Sequence, residues 1–364
     1  MYNIIGEFMK RVIAYIENGL TNKIDLSKLG IMIRNLNDIE YNEILSAYKS
    51  IILNEKDKNL AKQYFDYKNK KRNFSKEEKN NLFTEIDKSK NSHIILNVYN
   101  AYNKKEIFNI LKLDNIKKEL KNFVIIEINM EEFTKQFSQN YYKVLIPEIF
   151  SFSNYVSSCD KEYNDYNNIW TYEYDEFIKL DKSSQYQMII ILLFNRRTKV
   201  NETILIKLQK MFNLKDRSFC FNFLMIIDNV LEERVLIENR IINKVSYLER
   251  LLISKEENKA DAFVLKVGIL CHQLFDISNQ ELSKQLKEIY NIRSMLVHGE
   301  ESKIIDNIDY YKKIFCNVIE KKHSKHETRK QILITVDSTL ELFFIRVLNK
   351  YLDEPNLCEY IKQN

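Results

Sequence analysis

Glycine and proline are scarce in this chain, 5 and 2 among 364 residues. Both residues punctuate a polypeptide, so their scarcity predicts long helices and few tight turns. Cysteine is scarce as well. Cys159, Cys220, Cys271, Cys316 and Cys358 are scattered with no Cys-x-x-Cys pair. That odd, widely spaced set points away from a disulfide framework and towards reduced thiols. Long apolar runs are missing. The longest, Met188–Phe194, is too short to span a bilayer. The opening stretch "MYNIIGEFMKRVIAYIENG" carries charges throughout, unlike a signal peptide. A soluble, cytoplasmic protein with no membrane partner is expected. There is no glycine-rich phosphate loop, HExxH or GxSxG motif, which argues against ATP-driven chemistry in this chain.

What the chain does have is apolar content, 45% of its residues, enough for a sizeable core. Its length accommodates two domains. The net charge of +5 is compatible with a nucleic-acid partner and does not require one. Lys, Asn, Ile and Tyr are all abundant, the signature of AT-rich coding, so the lysine count carries no binding signal.

Ile4, Ile5, Phe8, Val12, Ile13 and Ile16 recur at helical spacing and predict a helix over 3–18, closed by Gly19. Residues 37–67 read as one or two more helices. Residues 68–81 read as a charged connection with a capping box at Ser75. "NFVIIEIN" (122–129) and "WTYEYDEFI" (170–178) read as strands. Pro147 and the polar run 153–168 suggest loop. Residues 1–182 are therefore assigned to an N-terminal helical or mixed α/β domain, with a sensing, regulatory or partner-binding role. Helices follow over 183–197 (with a serine as its cap), 201–214, 217–233, 234–254, 261–275, 278–298, 306–320 and 327–353. Short connections make 183–364 a helical bundle and the fold class mainly α.

One stretch speaks of chemistry: "EIYNIRSMLVHG", residues 288–299. Gly299 is placed to end the helix as its C′ residue. Arg293 and His298 lie five positions apart, about 140° around a helix. His298 falls in the last turn, where the helix dipole favours an imidazolium. Arg293 is always charged. Two cations at one helix end suit an anion, and they suit metal-free cleavage of RNA. That reaction removes a proton from a 2′-hydroxyl, stabilises a pentavalent phosphate and protonates the leaving 5′-oxygen. Histidine moves protons near neutral pH, and arginine stabilises charge on phosphate oxygens. One Arg–His pair is little for this work; two pairs across a dimer seam would suffice. On spacing alone, a buried or capping histidine beside an ion-paired surface arginine is the commoner arrangement.

The wider context resembles a known family. "IYNIRSMLVHG", with the upstream "SYLERLL" (246–252), is similar to the signature of HEPN domains, and most of all to the ApeA-like HEPN group. The resemblance spans about 185–355 and is strongest over 245–299. It implies an α-helical domain that dimerises so that two Arg–His motifs form one composite site. It implies a metal-independent endoribonuclease needing no cofactor, of the kind found in toxin–antitoxin, CRISPR and anti-phage systems. By position, Arg293 and His298 take the motif's arginine and histidine. Ser294 takes the polar place after the arginine, Glu249 the acidic place on the earlier helix, and Tyr290 the supporting tyrosine. The implied setting is a regulated toxin effector in abortive infection, restrained by its N-terminal half or by an antitoxin and released by a phage-derived trigger. A HEPN module that binds RNA, nucleotide or protein without cutting is the alternative.

Other features are weaker. Cys316, His323 and His326 lack a fourth ligand and a recognised spacing, so no metal site is assigned. Lys321 and Lys322, with Arg196 and Arg197, are candidate contacts to an RNA backbone. Cys271 and His272 sit in an apolar helix and read as core. "QYFDYKNKKRNF" (63–74) reads as a solvated helix end rather than a stacking platform.

Overall fold

The computed structural model describes residues 9–49, 55–68, 70, 72–89, 92, 95, 117–157, 171–194, 200–231, 236–272, 277–315 and 325–364. They are mainly helical, with one small antiparallel sheet. They divide into two compact units, one drawn from 1–151 and 165–202, the other from 152–164 and 203–364. The division at 202/203 falls later in the chain than the expected 182/183.

The first unit is mixed α/β. Strands β1 (Met9–Tyr15), β2 (Ile24–Leu26), β3 (Ile31–Asn35), β4 (Phe123–Asn129) and β5 (Thr171–Glu173) pair in the order β2-β3-β4-β1-β5, every pair antiparallel. The register sets Ile13 opposite Ile125 and Ile33 opposite Ile126. Helices α1 (Asp38–Lys49), α2 (Glu55–Lys68) and α3 (Lys76–Lys88) separate β3 from β4. The short α4 (Met130–Thr134) follows β4. Then come α5 (Tyr142–Ser157), which belongs to this unit as far as Ser151, the short α6 (Tyr174–Phe177) and α7 (Lys182–Phe194). The expected capping box is present: Ser75 Oγ accepts from the Glu78 amide, and the Glu78 side chain accepts from the Ser75 amide.

Several expectations change. The helix over 3–18 is β1 over its described part. Val12 to Ile16 are buried in succession, so the strand lacks the period-two alternation that would have marked it. Gly19, at φ +63°, turns the chain after that strand instead of closing a helix. Pro147 lies inside α5, which continues to Ser157. A proline inside a helix costs about 3 kcal/mol. Leu145, Ile146, Ile149, Phe150 and Phe152 are all buried, at about 1.5–3 kcal/mol each, and outweigh it. Among the described residues of the 170–178 stretch only Thr171–Glu173 is strand, and α6 follows at once. Helix α7, expected in the bundle, packs on α1 and β1 of the first unit. Its first turn is held by Asp181, whose Oδ1 accepts from the Ser184 amide at 3.1 Å, not by a serine cap.

An ion network ties the sheet to α1. Arg34 donates to Glu40 at 2.7 and 2.9 Å and to Glu127 at 2.6 Å, and Arg11 pairs with Asp175.

The second unit is a helical bundle of α8 (Glu202–Leu214), α9 (Arg217–Leu231), α10 (Ile237–Leu252), α11 (Lys259–Cys271), α12 (Asn279–Val297), α13 (Glu301–Asp306), α14 (Ile308–Phe315), α15 (Lys325–Asp353) and α16 (Pro355–Gln363). α13 and α16 were not anticipated. α10 packs on α11, α12, α15 and α16. α12 buries Leu282, Leu286, Ile289, Ile292 and Leu296, a stripe at helical spacing. Between α10 and α15 the buried Lys244 pairs with Asp337 at 2.9 Å and with Glu341, while Arg240 reaches Asp337 at 3.0 Å. Among the described residues no helix is long and apolar enough to cross a membrane.

Candidate functional site

α12 carries the motif, and both its ends are defined by local chemistry. At its start Ser278 Oγ accepts from the Glu281 amide while Glu281 accepts from the Ser278 amide, a complete capping box. At its end His298 is the C-cap residue and Gly299 follows at φ +69°. The Gly299 amide donates to Leu296 O at 3.4 Å and the Glu300 amide to Met295 O at 2.9 Å. This pair of bonds is a Schellman motif, whose left-handed residue must be one that tolerates positive φ. His298 is therefore fixed by backbone geometry at the mouth of the helix, exposed, while Leu296 anchors the same turn in the core.

Arg293 stands one turn and a half earlier, with its side chain 22% exposed. Its Nη2 donates to Ser246 Oγ at 3.4 Å and lies 3.7 Å from Glu249 Oε2, both on α10. Its Nε is buried and makes no hydrogen bond among the described residues. The guanidinium lies 5.9 Å from the centroid of the Tyr290 ring. Tyr290 donates its hydroxyl to Glu249 Oε1 at 2.8 Å, and its ring packs on Phe263 of α11 at 5.5 Å. Burial, and then the hydrogen bond to Glu249, push the Tyr290 phenol up to about 12. Tyr290 is thus a proton-bearing strut at neutral pH, not an acid or base.

Of the residues expected from the sequence, Glu249, Tyr290 and Arg293 are in one connected group. Ser294 is half-buried, and its hydroxyl has no hydrogen-bond partner among the described residues. The His298 ring likewise has none. Lys303 holds the nearby Glu300 carboxyl below the usual carboxylate range, with a smaller contribution from His298. Met295 is half-buried and Val297 is 46% exposed, so the last turn is less enclosed than its apolar letters suggested.

Lys321, Lys322, Arg196 and Arg197 lie outside the described residues, as do Cys316 and His323. Among the described residues no group of three or more His, Cys, Asp or Glu is placed to hold a metal ion. Cys271 is buried, and that burial pushes its thiol up to about 12, which excludes it as a nucleophile at neutral pH. Neighbouring His272 turns Nδ1 to Ile269 O at 2.8 Å.

Two groups escaped the sequence reading. Ser246 contacts Arg293 and stands three residues before Glu249, one helical turn away on the same face. Glu288, buried one turn before Ile292, accepts from Tyr310 at 2.9 Å and from Asn291 at 3.1 Å. It anchors α14 against α12. A carboxylate at an otherwise apolar stripe position was the available sign.

No family model, curated protein or solved structure matches this chain.

Proposed function

We propose that the second unit is a HEPN-type, metal-independent endoribonuclease, with Arg293 and His298 as its reactive groups. The observation that carries this reading is the contrast between the two side chains. Arg293 is held by Ser246, Glu249 and Tyr290 with hydrogen-bonding capacity left over, whereas His298 is exposed at a capped helix end and its ring makes no hydrogen bond among the described residues. An anchored guanidinium suits a phosphate whose charge grows in the transition state. An exposed imidazole suits proton transfer near neutral pH.

In the proposed reaction one His298 takes the proton from the 2′-hydroxyl, which attacks the adjacent phosphorus. Arg293 balances the charge on the non-bridging oxygens. The 5′-oxygen leaves with a proton from a second histidine, leaving a 2′,3′-cyclic phosphate and a 5′-hydroxyl. A single chain offers one such pair, so the active species is a homodimer that brings two together. The proposed setting is an anti-phage toxin effector restrained by its first unit or by an antitoxin.

The test incubates wild type, His298→Ala and Arg293→Ala with total RNA in EDTA, with fold and oligomeric state verified for each. Cleavage by wild type and its loss in both variants is expected. Binding of RNA without cleavage, equal in all three, would instead make this a binding module.

A further inference from the structure

The residues that place His298 extend beyond its own helix. α10 and α12 run antiparallel along the site: Tyr290 meets Glu249, and three residues on, Arg293 meets Ser246, three residues back. Followed in the same direction, this pairing carries α12 past His298 to the first residue of α13, Glu301, and carries α10 back to Glu238. Arg329 of α15 joins these two. Its Nη2 donates to Glu238 at 3.0 Å and also to Glu301. Its side chain is 16% exposed and its Nε is buried without a hydrogen bond.

This is not the usual forked arginine–carboxylate pair. One nitrogen is shared between carboxylates from two elements, so its effect is to tie them together. Both carboxylates point at the same cation and therefore lie near each other. Without the cation, two like charges would face one another and push the start of α13 away from α10. Glu301 follows His298 by only three residues, across the Gly299 turn at φ +69°, so the tie lies one short turn from the imidazole.

We propose that Arg329 is a positioning residue for His298, holding the turn Gly299–Glu301 against α10 so that the imidazole keeps a fixed place relative to Arg293. The proposal rests on the nuclease reading for its consequence in turnover, but not for its structural content.

Two readouts keep those separate. Amide hydrogen exchange at Glu300 reports the turn directly, whatever the activity. Arg329→Gln should speed that exchange at least tenfold and leave α11 amides unchanged. In RNA cleavage the same variant should lower kcat by about 10- to 100-fold with KM nearly unchanged, since a displacement of about 1 Å costs as much. Adding Glu301→Gln to Arg329→Gln removes the facing charge and should recover part of both losses, which general destabilisation would not do. Should Arg329→Gln fail to fold, Glu301→Gln alone, at a half-exposed position, should loosen the turn more mildly. Unchanged Glu300 exchange in these variants overturns the proposal. So does unchanged kcat in an active enzyme. An inactive wild type with altered exchange would sink the nuclease reading and leave the tie standing.

Discussion

Tyr290 and Glu249 share a hydrogen bond of 2.8 Å between α12 and α10, and the other oxygen of that carboxylate faces Arg293 at 3.7 Å. The tyrosine occupies one oxygen of Glu249 and so limits how far the carboxylate can close on the arginine. Arg293 is oriented without being fully neutralised.

Tyr290→Phe frees that oxygen. The carboxylate then closes on Arg293 and draws the guanidinium towards α10. Loss of the bond should cost about 1 kcal/mol of stability, read by urea titration. RNA cleavage should fall by about tenfold, the equivalent of about 1.4 kcal/mol in kcat/KM.

The same bond fixes a pH dependence. A phenol raised from its ordinary 10.0 to about 12 keeps its proton longer in the folded chain than in the unfolded one. Its stabilising contribution is complete below pH 10 and is lost as pH rises from there to about 12. Tyr311, raised to about 12 by its burial, adds to the same loss. Urea midpoints should fall between pH 10 and 12, and fall less in Tyr290→Phe.

Glu40 gives the opposite sign in the first unit. Burial opposes its charge, but hydrogen bonds from Arg34 and the Asn37 amide outweigh it and hold the carboxyl below its ordinary 4.5. Its contribution is complete above pH 4.5 and is lost as pH falls further. Glu40→Gln should flatten the acid limb of thermal stability. A limb of unchanged steepness would remove Glu40 as its source.

Gly299→Ala isolates the cap. A Cβ there meets no atom within 4 Å, so the cost is conformational, from a φ of +69°. About 1–2 kcal/mol of destabilisation is expected, with a loss of cleavage larger than stability explains. Ser278→Ala, at the far end of the same helix, should cost about 1 kcal/mol and leave cleavage intact. Equal losses of cleavage in the two would disconnect His298 from its cap.

The bundle was legible where periodicity was strong. Ser278, the apolar stripe of α12 and Gly299 announced that helix from cap to cap, whereas Glu249 was named only through the family resemblance of the stretch that carries it. The first unit was harder to read. β1 lacks period-two alternation, because its neighbours in sequence are buried together, and Pro147 is overruled by the apolar side chains around it. Those outcomes depend on partners distant in the chain. The same holds at the site: Ser246 and Arg329 matter through what they touch, and nothing adjacent to them in sequence marks it.

The central claim concerns the nucleophile, and one measurement addresses it most directly. An RNA cut by the wild type is resynthesised with a single 2′-deoxy sugar at the cleaved position and incubated in EDTA, with product ends mapped on the parent RNA. The account predicts 2′,3′-cyclic phosphate and 5′-hydroxyl ends on the parent and no cutting at the deoxy position. Continued cleavage there, or products ending in 3′-hydroxyl and 5′-phosphate, would contradict it.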